Sequence, residues 1–543
     1  MSFTPLPNQQ PIAWPTFWVV MAGCFFMTVT AQVIGQLGSD INGDIFVTPH
    51  EGLWLTSTYL AIQILVIPIA ARSVGPMGLR AVLMAAAAIY VVFCLLSATT
   101  QSYALMFLWR IGIALSAGAF LPLGILIVFR TFGPTNPMLI PFGLAVFACM
   151  ASAPTAMSSL ISASFAEFSD WQGMFVSLAA MGACLFVAAS LFVPKDPTNP
   201  KDMLGLDWMG VVLIGLWIIP FVALMYHGLR LDWWAHPMIR LLTLVSVAGF
   251  FLQVTYHWRH PNPIVDIHLL FDRPNFGLAC AGFLFFRFGL LGLSTVYPQF
   301  LVQVQGLRIE QIGDPLSYAL LPMLLCFPVA FFAATRLDPK YALSFGMALF
   351  GVGALMNIQL SADWSLEQFH QSLIVVGIGQ PFFMVGLLMI ATTGVGPPQG
   401  PSAASLINMS RVLGQSIGVA WITTMISKRQ HYHSSTVVEA ASSGNINIGD
   451  RLQGMAASFL PEHGDEALAQ VQAVSALARV IRRESSILAF NDVFIAIGLV
   501  LVASALMLLV LLPSRRGYLP PRAPENGAMP LEPDPRHGER NLS

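Results

Sequence analysis

Three arginines, Arg110, Arg287 and Arg411, lie inside long apolar runs of this 543-residue chain, and no carboxylate shares those interiors. A guanidinium stays charged at any physiological pH. At the centre of a membrane helix it costs ~2.5–3.5 kcal/mol and must face a bundle interior or a water-filled path. Arg287 lies near the middle of its run, where reaching for the interface is hard. A place on a substrate or ion pathway competes there with a structural role, the guanidinium donating to backbone carbonyls. Arg110 and Arg411 sit nearer the ends of their runs, and both readings stand for each.

Neutral polar residues recur with helical spacing around these charges. Thr28, Gln32 and Gln36 follow at i, i+4 and i+8, on one helical face. Asn408, Arg411 and Gln415 follow at i, i+3 and i+7, and Tyr59 and Gln63 stand one turn apart. Any one of these side chains could simply glue two helices together by hydrogen bonding. Three stripes together favour a lined central cavity, which makes them, with Arg287, the candidate substrate-binding and translocation residues.

Enzyme chemistry finds little footing. The eleven histidines fall in loops or at helix ends, and the His431/His433 pair, without an acid or cysteine nearby in sequence, reads as a solvated loop. The six cysteines, Cys24 to Cys326, lie in hydrophobic runs without the paired spacing of a metal site, so packing is their expected role. Neither metal nor cofactor is expected. A net charge of −1 lacks the concentrated basic patch that nucleic acid requires.

The elements that must position these residues follow from composition. With 56% hydrophobic and only 10% charged residues, and a mean hydropathy of +0.71, the chain cannot cover its own surface in water. Runs of ~20 apolar residues, the length of a bilayer crossing, recur fourteen times, from Phe17–Leu37 to Asp492–Leu512. The N-terminal segment has no Lys or Arg before the first run, so that run reads as a retained helix rather than a secretory signal. An even number of spans puts both ends on one side. The short connections on that side carry nine basic residues, among them Arg72, Arg80, Arg130 and Arg273, against Arg230, Arg240 and Arg308 opposite. That bias places both ends in the cytoplasm. The long outer connection 428–491 contains Leu468, Val471, Val474, Leu477 and Ile481 at helical spacing, read as a helix lying on the bundle or lipid surface, or as a docking site. Prolines and glycines inside the runs, including Pro122, Pro154, Pro322 and Gly377, suit helices that bend during a transport cycle.

Several motifs resemble those of the fourteen-helix drug:proton antiporters of the major facilitator superfamily, of the EmrB/QacA type. Trp54–Tyr59 (WLTSTY) is similar to that family's WxxTxY, and Arg110, Gly118 and Pro122 match its fourth-helix motif. Asp207-Trp208 with Gly210, Pro263–Asp266, Tyr297-Pro298-Gln299, and Asn408 with Arg411, Gly414, Ser416 and Gly418 follow in the family's order, ending with Asn491-Asp492. The resemblance implies an all-α membrane fold of two six-helix bundles (16–194 and 261–513) with two extra helices between them (195–260). A cytoplasmic N-terminus (1–15) and a disordered, Pro-rich cytoplasmic tail (514–543) complete the expected organisation. It also implies efflux of small amphipathic compounds by alternating access with proton antiport, in a bacterial inner membrane, and a periplasmic adaptor protein as a partner at the outer loop.

Departures from the family's pattern bear on coupling. Thr30 stands where relatives carry an aspartate in the first helix, and Arg72 replaces the acid of the loop after the second helix. The fifth-helix antiporter motif keeps only Pro154. Proton exchange most simply needs a buried carboxylate, and the acids available lie at helix ends, Asp40 and Asp44 foremost. Arg110 and Pro154 join these as candidate coupling or conformational residues. Interior positive charges without negative ones suit an organic anion better than a lipophilic cation, and uptake or exchange of such an anion without protons is the alternative. The topology makes one direct demand: a cysteine placed at Ser443 must react with a membrane-impermeant thiol reagent added from outside. Labelling only after the membrane is opened would overturn it.

Overall fold

The computed structural model describes residues 14–133, 136–168, 170–307, 317–442, 446–463 and 465–513, and every regular element among them is helical. The N-terminal bundle comprises α1 (Trp14–Gln36), the short α2 (Gly38–Asp44), α3 (Pro49–Met77), α4 (Leu79–Ala98), α5 (Tyr103–Phe132), α6 (Ile140–Phe168) and α7 (Trp171–Phe192). Two further helices, α8 (Trp208–His227) and α9 (Pro237–Arg259), precede the short α10 (His268–Asp272) and α11 (Pro274–Gln305). Then follow α12 (Ser317–Arg336), α13 (Pro339–Leu355), α14 (His370–Thr392), α15 (Gly400–Ser442), α16 (Ile446–His463) and α17 (Glu466–Leu511).

Twelve of these helices are long and apolar enough to cross a membrane. Of the long helices in the bundle, α13 falls short at 17 residues, and α15 carries the polar stripe of Asn408, Arg411 and Gln415. Both pack inside the second bundle, which is compatible with the fourteen spans expected. Outward-facing leucines, valines and phenylalanines on α4, α7, α9 and α12 give the assembly its apolar belt. Local signals set the helix starts. Thr48 and Glu51 form a reciprocal capping box ahead of Pro49, and Asp338 caps α13 ahead of Pro339. Asp207 caps α8 through Gly210 N (2.8 Å) while accepting from the Tyr256 hydroxyl (2.8 Å) and Ile264 N (3.2 Å). Its partial burial raises the carboxyl pKa, but those three donors outweigh it and hold the group below the usual carboxylate value.

Within the first bundle α3 packs on α5, α4 on α7 and α1 on α6; in the second, α11 packs on α15 and α17, and α14 on α12 and α13. The bundles meet along α3–α15 and α6–α12, and α8 leans on both α3 and α15. Helix approach is closest where side chains vanish. A Cβ at Gly118 would lie 2.7 Å from Gln63 O, on α3, and one at Gly418 would lie 2.8 Å from Phe288 O. A Cβ at Gly414 would overlap Leu284 O outright, so Gly414 and Gly418 let α15 ride directly on the α11 backbone.

The outer connection differs from the expected surface helix. The helix beginning at Glu466 does not lie on the bundle. It runs without a break into the last span, 46 residues and roughly 70 Å at helical rise, against ~30 Å of hydrocarbon. Ala469, Ala473 and Ala476 form its buried seam, while Leu468, Val471 and Val474 are exposed. Short side chains let neighbouring helices close in, and the larger aliphatics are turned outward. His433 is no solvated loop residue either: its Nε2 lies 2.7 Å from Asp492, which also accepts from Arg429 Nε at 2.6 Å. The acid that completes this group is remote in sequence and arrives only when α15 and α17 pair.

Replacing Gly414 by leucine must force α15 away from α11. The expected loss is about 1–3 kcal/mol, read as a lower melting temperature of the detergent-solubilised protein. The same change at exposed Gly449, with nothing within 4 Å of its would-be Cβ, should leave melting unchanged.

Candidate functional site

The α11–α15 contact brings two of the sequence candidates together: Arg287 Nη2 donates to Gln415 Oε1 at 2.9 Å. Arg287 is only 7% exposed, and its Nε has no partner. Its neighbours hold it in place. Phe286 stacks on Phe383 of α14 (centroids 3.9 Å) and meets Phe350 of α13 edge-on, while Phe288 packs against Trp421 of α15.

One turn before Gln415, Arg411 has Arg287 and, in the first bundle, Tyr59 and Cys24 among its neighbours. Its Nε is also unpartnered. Tyr59 is buried with an unpartnered hydroxyl, and the Arg110 guanidinium lies 5.6 Å from its ring centroid. The three arginines thus form a row across the seam between the bundles, linked by Tyr59, and among the described residues none is in an ion pair. Unpaired buried donors of this kind are expensive and suit an anionic acceptor.

The remaining candidates divide. Thr28 donates to Cys24 O (2.9 Å) and Asn408 Nδ2 to Ala404 O (2.8 Å), each within its own helix. Gln63 is buried beside the α3–α5 contact, and Gln32 is half-buried. The Gln36 side chain lies outside the described residues. Pro154 is buried inside α6. Asp40 and Asp44 sit on α2, whose Ile41 and Asn42 line a cavity of about 190 Å³ with Arg110 in its wall. This cavity reaches neither Arg287 nor Arg411 and is smaller than a typical drug site. Asp44 accepts from Trp171 Nε1 at 2.6 Å. At Thr30 the hydroxyl meets the Tyr90 hydroxyl at 2.5 Å, a neutral pair in the place where the related family carries a charge.

Two features were not anticipated. The end of α8 reaches both bundles. Tyr226 lies beside the Gln415 amide, while His227 stacks on Trp54 (3.9 Å) and approaches Ser57 Oγ at 3.4 Å. Their position at the close of an apolar run was the only sequence signal. The second is Arg72, at the basic end of the bundle. It donates to Pro263 O (2.8 Å), Ile264 O (3.2 Å) and Ser402 Oγ (3.3 Å), and Ser402 also accepts from Asp266 N (3.1 Å). With Phe142 meeting Phe331 across α6–α12, contacts close this end along both bundle seams.

Two helical bundles, with an added helix α8 packed on both and α9 packed on α8, have the build of a polytopic membrane transporter. The chain belongs to the Major Facilitator Superfamily, whose family model matches residues 16–419. It is similar to the colistin resistance protein EmrB of Acinetobacter baumannii, at 21% identity over 91% of this chain and 95% of that protein. It is also similar to the multidrug export protein EmrB of Escherichia coli, at 22% identity over 91% of this chain and 92% of that one. Among solved structures it resembles a POT family transporter bound to 5-aminolevulinic acid (TM-score 0.58, 16% identity, 91% of this chain and 95% of that one). The human organic anion transporter MFSD10 aligns with a TM-score of 0.55 at 14% identity, over 91% of this chain and all of that one. At those identities the two structures show the shared fold. The twelve apolar helices and the bacterial relatives make this an integral, multi-pass protein of a bacterial inner membrane.

Arg72 should act as a latch on the basic end. In a cysteine-free background carrying Leu126→Cys, beside Gly400, Arg72→Ala should raise thiol labelling from that end severalfold. Unchanged labelling would show that the three hydrogen bonds do not control closure.

Proposed function

We propose that this protein exports small amphipathic organic anions by alternating access, with the Arg110–Arg411–Arg287 row as the binding centre. One observation carries the reading: three permanent cations are buried in helices on either side of the bundle seam, two of them with an unpartnered Nε, and among the described residues none of the three is in an ion pair. In a low-dielectric seam such charges attract an anion and repel a lipophilic cation. Arg287 supplies the planar fork for a carboxylate or sulfonate, Gln415 orients it, and Tyr59 with Trp421 offers aromatic surface for the apolar part. The latch at Arg72 supports a cycle in which the basic, cytoplasmic end opens for loading and closes before release outside. The direction rests on similarity to proteins named for drug resistance and export.

The resemblance to drug:proton antiporters also supports proton exchange, with Asp40 or Asp44 as the carrier at the outer end. Exchange or uptake of the anion without protons is the second reading, favoured by the Thr30–Tyr90 pair at the position of the usual acid.

In proteoliposomes, Arg287→Gln should cut transport of naphthalene-2-sulfonate by about tenfold or more, the scale of losing one charge-assisted contact of ~1.5–3 kcal/mol, while expression holds. Arg287→Lys should keep part of the flux, since the charge remains and the fork is lost. Normal flux in Arg287→Gln, or transport of ethidium with no sulfonate flux in the unmodified protein, would overturn the anion assignment.

A further inference from the structure

We infer that the small cavity beside α2 is a binding site for one small monovalent anion of the chloride class, held by Arg110, Asn42 and Thr56. All of its lining residues belong to the first bundle, so the site is separate from the seam and does not depend on what the protein exports.

α3 fixes its place. Gly52, Leu53 and Thr56 in the first turns of α3 line the cavity, whereas Arg72 closes the far end of the same helix. Those twenty residues from Gly52 to Arg72 span about 30 Å at helical rise. The cavity therefore lies at the end of the bundle opposite the latch, with its other walls supplied by α1, α2, α5 and α7.

The lining is built for negative charge. Arg110 is only 8% exposed, and among the described residues its guanidinium has neither a hydrogen bond nor an ion pair. Its neighbours Tyr59 and Cys94 are uncharged at neutral pH. The Asn42 amide and the Thr56 hydroxyl, in the same walls, likewise have no side-chain partner among the described residues. The first turn of α3 adds the positive end of its helix dipole. No carboxylate lines the cavity. Of the acids close by in the chain, Glu51 accepts from the Thr48 amide and hydroxyl (2.9 and 2.8 Å), Asp44 accepts from Trp171, and Asp40 is exposed.

Size selects the ligand. A cavity of about 190 Å³ takes roughly six waters at ~30 Å³ each, enough for a halide or nitrate with part of its hydration. Gly35 and Gly38 keep that room open, since a Cβ on either would meet nothing within 4 Å. A buried guanidinium without a partner is costly, and an anion turns that cost into charge-assisted contacts. Because the three donors come from α2, α3 and α5, the ion also ties down the short helix that carries Asp40 and Asp44.

The test uses the full-length, detergent-solubilised protein without substrate, so its result is independent of the export reading. Its melting temperature is followed as sodium chloride replaces sodium gluconate at a constant total of about 0.15 M, which keeps screening fixed. Gluconate carries the same charge on a polyhydroxy chain too long for the cavity. The melting temperature should rise with chloride and level off, as one-site binding to the folded protein requires, and bromide should act alike. Arg110→Gln should abolish the rise, and Arg287→Gln should leave it in place. Thr56→Val, which keeps the shape of the side chain and removes its hydroxyl, should move the half-maximal chloride concentration severalfold higher, and it decides the matter should Arg110→Gln not fold. Three results would each remove the site: equal melting of the unmodified protein in chloride and gluconate, a rise unaltered in both Arg110→Gln and Thr56→Val, or a rise lost only in Arg287→Gln.

Discussion

A guanidinium inside a bilayer cannot shed its charge, and that constraint organises this molecule. Lysine or histidine in the same place could neutralise itself; arginine must be solvated by protein, water or a ligand. Here three of them are buried beside the seam of two helical bundles, and among the described residues Gln415 is the one hydrogen-bond partner recorded for them. On either side of Arg287 in the chain, Phe286 stacks on Phe383 and Phe288 packs by Trp421, fixing the helix face that carries it.

The packing that permits this is backbone on backbone. Gly414 and Gly418 bring α15 onto α11 so closely that Arg287 and Gln415, one residue from Gly414, share a hydrogen bond. Gly118 performs the same service for α3 and α5, which present Tyr59 and Arg110 to each other from the opposite bundle. Each bundle is thus packed closely within itself, and the seam between them includes both ring contacts, such as Phe142 with Phe331, and hydrogen bonds. At the basic end the hydrogen bonds are those of Arg72 to the Pro263–Ile264 carbonyls and Ser402. Such bonds break and re-form at little net cost, which is what a gate between two packed bodies requires.

The two extra helices are more than a spacer. Through Tyr226 the end of α8 reaches Gln415, and through His227 it reaches Trp54 and Ser57. It therefore touches both halves beside the arginine row, where any relative motion of the bundles must be accommodated. Beyond the apolar belt, α15 and α17 continue as paired helices stapled by Arg429, His433 and Asp492.

Much of this was legible in residue types alone. Apolar runs of bilayer length and the basic bias of alternate connections define a multi-pass protein, because lipid tolerates so few alternatives. The helical spacing of Asn408, Arg411 and Gln415 also placed them on one face correctly. Spacing along one helix, however, says nothing about what the neighbouring helix offers. Thr28 and Asn408 belong to the same stripes yet bond their own backbones, while Arg287, alone on its helix, finds Gln415 across the α11–α15 contact. The latch of Arg72, the reach of Tyr226 and the union of His433 with Asp492 join segments tens to hundreds of residues apart. Composition and periodicity report one helix against its solvent; only the tertiary packing decides which polar groups meet.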